Sequence, residues 1–243
     1  MSSWIILGAT SSMARAFARE MSETGAAVLG AGRDIDDLQA LATDLSHRGA
    51  AAAAALYFDA ADPATFAPIV KVLGEAQGPV NAAVFGGWMP SQAEIDADPA
   101  LIDRVGAANY TGPARFLHEL APLIAERGGT VVGVTSVAGD RGRFSNYVYG
   151  SAKAGFATYL SGLRNRLNRS GAHVVTVKPG FVDTSMTWGV EGMFLVAKPS
   201  AVAKSIAKAV EKKKNVIYTP GFWWIIMTII KLVPERIFKK LSF

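Results

Sequence analysis

Seven short apolar runs of strand type, interleaved with longer segments of helical spacing, constrain this chain more than any other feature. The runs are Trp4 to Leu7, Ala27 to Ala31, Ala53 to Phe58, Val80 to Phe85, Thr130 to Thr135, Ala172 to Val177 and Val216 to Tyr218. Between them, Met13 to Glu20, Ile35 to His47, Ala64 to Ala76, Tyr147 to Asn168 and Ser200 to Lys212 carry apolar residues at helical intervals. This alternation predicts a parallel sheet covered on both faces, with right-handed crossovers: an α/β fold of about seven strands, doubly wound, in three layers. The alanine-rich run Gly49 to Ala55 reads as a small-residue entry to the third strand. A single domain over 1–243 is expected, with an apolar, basic C-terminal segment at 219–243. Ligands of such sheets sit beyond the carboxyl ends of the strands, so chemistry is expected from residues just after each strand.

Composition removes several classes of function. The chain has no cysteine, which excludes disulfides, thiolate metal sites and thiol catalysis. Its three histidines, His47, His118 and His173, stand in no ligand spacing, so no metal is expected. The N-terminal apolar stretch is only Trp4 to Leu7, with no basic region before it, and no apolar run reaches 18 residues. A cytoplasmic protein is the expectation. The net charge of +5 is unevenly placed: nine Lys or Arg against two acids follow from Lys204 onward, an excess of seven, which leaves the first 203 residues near −2. An anionic partner would therefore meet the C-terminal end. The lysines there flank aliphatics rather than line a groove with spaced aromatics, so nucleic acid is not expected.

After the first strand, Gly8-Ala9-Thr10-Ser11-Ser12-Met13-Ala14 forms a small-residue turn opening a helix, where backbone N–H groups can approach a pyrophosphate. A plain tight turn would look the same. After the second strand comes Gly32-Arg33-Asp34, with a guanidinium where an acid would grip a ribose diol, which favours NADP(H), with NAD(H) as the alternative. Asp59 is placed either to accept from an adenine amino group or to cap the helix after Ala60. At Phe85-Gly86-Gly87 the missing side chains would let the backbone lie against a cofactor ribose. Ser136 follows the fifth strand directly, and Tyr149 and Lys153 share a helix face four residues apart in SNYVYGSAKAG. An ammonium beside a phenol is expected to lower its pKa, preparing Tyr149 to give a proton to a carbonyl oxygen. Tyr147 lacks a lysine four residues on and is expected to line a substrate pocket.

Together these segments resemble the short-chain dehydrogenase/reductase family over nearly the whole chain, and the resemblance implies a Rossmann-type fold and an NAD(P)-dependent oxidoreductase acting on CH–OH/C=O. It implies that Ser136 orients the carbonyl, Tyr149 donates the proton, Lys153 binds the nicotinamide ribose and tunes Tyr149, and Asn109, in AANYTG, holds a proton-relay water. It assigns cofactor binding to Gly8, Thr10, Ser11, Ser12, Met13, Arg33, Asp59, Ala60, Phe85, Gly86, Gly87, Tyr149 and Lys153. Pro179, Gly180, Val182 and Thr184, in KPGFVDT, would meet the nicotinamide end. Two departures stand out. Ser12 and Ala14 replace the usual second and third turn glycines, and Phe85-Gly86-Gly87-Trp88 replaces Asn-Asn-Ala-Gly.

Substrate choice in that family resides after Pro-Gly and at the C-terminus. Here SMTWGVEGMFLVAKP, residues 185 to 199, suggests an apolar lid. From Phe222 to Val233 the chain is apolar except for Thr228 and Lys231, and Pro234 should stop a helix there. Such a helix spans roughly 18 Å against about 30 Å for a hydrocarbon core, too short to cross a bilayer. Lys212, Lys213 and Lys214 before it, and Lys231, Arg236, Lys239 and Lys240 in and after it, fit peripheral contact of 212–243 with an anionic membrane; packing on the sheet or a subunit is the alternative. The ending TPGFWWIIMTIIKLVPERIFKKL also resembles that of decaprenylphosphoryl-2-keto-erythro-pentose reductases, and the resemblance implies a keto sugar on a polyprenyl phosphate and a flavin oxidase as pathway partner. A free hydrophobic ketone or alcohol, such as a steroid or oxoacyl group, is the competing substrate, and a non-catalytic cofactor-binding scaffold the competing class. A homodimer or homotetramer is expected.

Overall fold

The computed structural model describes residues 2–187 and 195–241, and its strands are Ser3–Leu7 (β1), Ala27–Gly32 (β2), Ala52–Tyr57 (β3), Val80–Val84 (β4), Thr130–Val134 (β5), His173–Pro179 (β6) and Val216–Thr219 (β7). They form one sheet in the order β3-β2-β1-β4-β5-β6-β7, every pairing parallel. The chain winds outward from β1 to β3, then returns to place β4 on the other side of β1. This reversal opens a crevice between the carboxyl ends of β1 and β4.

Strand alternation divides the core into two layers. Trp4 and Ile6 face Phe17, Leu38 and Ile206 from Ser12–Ser22 (α1), Ile35–His47 (α2) and an eighth helix, Pro199–Glu211. Ile5 and Leu7 face the opposite way, toward Phe66–Glu75 (α3) and toward Phe116 and Phe156 on helices Gly112–Arg127 and Tyr147–Asn168. The rings of Phe58, Phe66 and Phe116 pack with centroids 5.2 to 5.7 Å apart. Between β4 and β5 the chain forms Gln92–Ala97 (α4), Leu101–Gly106 (α5), a widened π turn at Ala107–Thr111 and then Gly112–Arg127 (α6). Apolar periodicity does not mark α4 and α5. Ser91 and Glu94 start α4 with a reciprocal capping box instead. The two later helices are Tyr147–Asn168 (α7), with the bounds expected from the sequence, and Pro199–Glu211 (α8).

The tail forms Trp223–Leu232 (α9), an extended Val233, and Glu235–Phe238 (α10) after Pro234, so the helix stops where proline was expected to stop it. No helix among the described residues is long and apolar enough to cross a membrane. The two adjacent tryptophans part company. Trp223 is 2% exposed and packs with Val137, Met227 and the Phe181 ring, its indole filling the space where a Cβ on Gly180 would stand; Trp224 is 59% exposed. Lys212, Lys213 and Lys214 lie between α8 and β7, so the whole of β7 separates them from α9 along the chain.

Trp223→Ala should therefore lower the free energy of unfolding by about 3 to 5 kcal/mol, the cost of emptying a large buried site, whereas Trp224→Ala should change it by less than about 0.5 kcal/mol. Urea titration of the two variants checks the difference.

Candidate active site

Two close approaches of backbone build the crevice. Gly8 sits at φ +71° after β1, and a Cβ there would lie 2.7 Å from the Gly86 nitrogen. Only glycine lets these two turns meet in that conformation. Across the sheet, a Cβ on Gly150 would lie 2.7 Å from the Ala138 carbonyl and one on Gly139 would lie 2.8 Å from the Ala154 nitrogen. The turn after β5 thus lies directly against α7, which brings Ser136 to Tyr149.

Between β1 and β4 lies a cleft of about 650 Å³, lined by Gly8, Thr10, Ser11, Gly32, Arg33, Phe58, Asp59, Ala60, Ala61, Phe85, Gly86, Gly87, Trp88, Asp103, Arg104, Ala107, Ala108 and Met186. Nine residues expected from the sequence to hold a cofactor are among them. Ser11 caps α1, its Oγ accepting from the Ala14 nitrogen at 3.3 Å, so the helix N-terminus opens toward the cleft. Asp59 accepts from the Ala61 nitrogen at 2.9 Å, which closes a turn, while Asp62 caps the short helical turn that follows. Arg33 is exposed at the cleft edge, and no ion pair involves it among the described residues. Its neighbour Asp34 is engaged instead in capping α2, accepting from the Asp37 nitrogen at 3.0 Å. The combination of backbone approach, a helix N-terminus, a guanidinium without an ion pair and a neighbouring Asp34 engaged in capping fits a dinucleotide carrying a 2′-phosphate.

Of the other expected cofactor contacts, Ser12 is exposed and Met13 packs on the core, and neither lines the cleft. They face away because Ser11, not Ser12, is the last residue before the helix turns. Pro179 ends β6 and Gly180, Val182 and Thr184 follow it, with Val182 bridged to Ala197; they also lie outside the cleft lining, although Met186, just beyond them, reaches it. Residues 188–194 of the expected lid lie outside the described residues.

The reactive side chains stand beside the cleft floor. Lys153 is buried, and its Nζ donates to the carbonyls of Gly86 and Val134, each at 3.3 Å, at the ends of β4 and β5. It lies 5.7 Å from the centre of the Tyr149 ring. Tyr149 is buried as well and shares a hydrogen bond with the Ser136 hydroxyl, which also accepts from the Ala138 nitrogen at 3.1 Å. Asn109 sits in the π turn; its Nδ2 donates to the carbonyls of Trp88 at 2.7 Å and Val105 at 3.0 Å, and its Oδ1 accepts from the Trp88 nitrogen at 3.3 Å. A Cβ on Gly87 would lie 2.9 Å from that Oδ1 and 3.3 Å from Lys153 Nζ. Asn109, Gly87 and Lys153 are thus one packed group.

One expectation needs correction. Burial, the largest effect, pushes the Tyr149 phenol up to about 12 despite the lowering bond from Ser136, so it is a protonated acid and not a pre-formed phenolate. The same burial brings Lys153 down to about 8. Tyr147 is exposed, and its hydroxyl donates to Asp96 at 2.8 Å. Sequence reasoning missed Trp88 and Arg104, whose guanidinium lies 4.6 Å over the Trp88 ring at the cleft wall. They come from turns and short helices whose position no local pattern reports.

The family described as "short chain dehydrogenase" matches residues 3–193. An uncharacterized oxidoreductase of Mycobacterium tuberculosis is 33% identical over 98% of this chain and 96% of its own length. Another, from Streptomyces coelicolor, is 30% identical over 98% and 95%. Among solved structures, a short-chain dehydrogenase from Sphingobium yanoikuyae in complex with NADPH has a TM-score of 0.81 at 24% identity, covering 97% of both chains. A single-residue variant of actinorhodin polyketide ketoreductase, solved with NADPH, has 0.80 at 22%, covering 91% of this chain and 96% of its own. Both likenesses establish the fold.

Because the folded Lys153 titrates near 8 rather than at its ordinary 10.5, the native protein binds fewer protons than the unfolded chain between those values. Stability from this group therefore rises with pH across that window and is lowest below it. Measured by urea unfolding, wild type should gain up to about 3 kcal/mol relative to Lys153→Met between pH 8 and 10.5. A difference independent of pH would show that the ammonium is not desolvated.

Proposed function

The chain belongs to the short-chain dehydrogenase/reductase family of oxidoreductases, and on that premise we propose that it reduces a ketone with NADPH, Ser136 holding the carbonyl oxygen and Tyr149 protonating it. The observation that carries this reading is the half-buried Ser136 joined to the buried Tyr149 and Lys153 beside the cleft of Gly8, Gly86 and Arg33.

NADPH, when bound, supplies the hydride; the chain's own groups position the acceptor and manage the proton. Gly8, Thr10 and Ser11 would cradle the pyrophosphate on the α1 N-terminus, and Arg33 would pair with the 2′-phosphate. Lys153 and the Gly86-Gly87 backbone would meet the nicotinamide-side ribose. Ser136 donates to the substrate oxygen and fixes it beside Tyr149. With its pKa raised, Tyr149 arrives protonated at neutral pH, which suits reduction, where the developing alkoxide takes the Tyr149 proton. The charge left on the phenolate is met by the Lys153 ammonium, present below about pH 8. Support for NADPH also comes from the relatives of this fold solved with it.

For the substrate, we read a ketone on a hydrophobic, lipid-linked carrier, with a keto sugar on a polyprenyl phosphate as its specific form. The apolar, basic tail supports this, and an oxidation of the corresponding alcohol, by a flavin oxidase, would supply the ketone. The assembly is read as a homodimer or homotetramer.

Tyr149→Phe should lower kcat for ketone-dependent NADPH oxidation by about 10²- to 10⁴-fold with little change in NADPH affinity. NADPH binding with no turnover on any ketone, lipid-linked or free, would favour a scaffold. The reduction rate of wild type should decline as pH rises through about 8, as Lys153 loses its proton. Arg33→Ala should weaken NADPH binding by about tenfold or more, a loss of at least about 1.4 kcal/mol, and leave NADH binding unchanged, which fluorescence titration reads directly.

A further inference from the structure

Helix α9 is apolar almost all the way round, yet only one side of it is covered. Trp223 and Met227 are buried, with Ile226 and Ile230 beside them, against Val137, Phe181 and Tyr218. On the other side Trp224, Ile225, Ile229 and Leu232 are exposed, Ile229 by 61% and Leu232 by 76%. A helix with apolar residues on every side is normally buried on every side, so this face calls for an occupant. In α10 and just after it, Ile237 and Leu241 are exposed as well.

Charge identifies the occupant. Lys231, Arg236, Lys239 and Lys240 are exposed around these side chains. The one carboxylate side chain of the segment, Glu235, is already paired with Arg141 at 2.9 Å. A second copy docking through the same face would set four cations against four, with no free acid side chain to offset them. Phosphate-bearing lipid headgroups supply the opposite charge, and acyl chains take the apolar side chains.

We propose that the outward face of α9 and α10 docks on an anionic lipid bilayer, with the helix axis along the surface. The hairpin is fastened to the loop that joins the two catalytic residues Ser136 and Tyr149. Arg141 Nη1 donates to the carbonyls of Ile230 and Val233, each at 2.6 Å, and its guanidinium lies 3.7 Å over the Phe238 ring. Asp140 accepts from Tyr218 at 2.6 Å and from Lys178, tying the same loop to β6 and β7. Docking therefore sets the catalytic loop at a defined distance from the bilayer, where a lipid-linked ketone resides. The inference deepens that substrate reading but rests on the tail, so binding and turnover are measured apart.

Full-length protein is sedimented with vesicles of phosphatidylcholine alone and of phosphatidylcholine with phosphatidylglycerol. The expected result is binding at least about tenfold stronger to the anionic vesicles, weakened by about 0.5 M salt and lost in Trp224→Ser/Ile229→Ser. Circular dichroism and NADPH binding confirm that this variant is folded; Lys231→Gln/Lys239→Gln/Lys240→Gln, which leaves the apolar face intact, should bind anionic vesicles at least about tenfold more weakly than wild type. Equal binding to both vesicles, or retention by the two variants, overturns the proposal. So does failure of wild type to bind vesicles while Trp224→Ser/Ile229→Ser changes its oligomeric state by size-exclusion chromatography, which would assign the face to a second copy. Reduction of a water-soluble ketone, measured without vesicles, reports separately on the redox reading.

Discussion

The ammonium of Lys153 is buried where the ends of β4 and β5 leave two carbonyls unpaired, and much of the site follows from satisfying it there. An isolated charge in a protein interior is costly, so it persists only with hydrogen-bond partners and at the expense of its pKa. The carbonyls of Gly86 and Val134 are such partners because a parallel sheet ends its ladder at these positions. Gly87 has no side chain where Lys153 and Asn109 crowd it. Asn109 in turn donates to the Val105 carbonyl, one turn before it at the entry to the π turn. The same burial raises Tyr149 and lowers Lys153, so one environment yields a protonated phenol and, a short distance away, a cation that gives up its proton more readily than usual.

The tail shows the same economy in apolar terms. A single helix, α9, completes the wall behind Ser136 and Gly180 with its inner side while its outer side stays in contact with solvent. Arg141 donates to the carbonyls of Ile230 and Val233 at the C-terminal end of α9, where helical donors run out. The opposition between Trp223 and Trp224 arises because adjacent helical residues point about 100° apart.

Much of the fold was legible because strands buried on both faces must be apolar throughout, and all seven runs became strands in one parallel sheet. The bounds of α2 and α7 emerged as expected, α2 through the cap at Asp34. The stretch 92–127 was less legible, since α4 and α5 are too short for periodicity and the π turn is set by contacts with Trp88 and the neighbours of Lys153. The partner of Tyr147 was not legible, because it lies 51 residues away and only folding sets Asp96 beside it.

The sequence by itself determined the layers, the strand count, the turn residues at the cleft and the four-residue spacing that sets Tyr149 and Lys153 on one helix, because these depend on local spacing and residue chemistry. Tertiary structure decided the direction of the Tyr149 shift, the exclusion of Ser12 and Met13 from the cleft and the opposite environments of Trp223 and Trp224. Each of these depends on desolvation and on which distant segments come into contact, and neither is encoded in the spacing of neighbours along the chain.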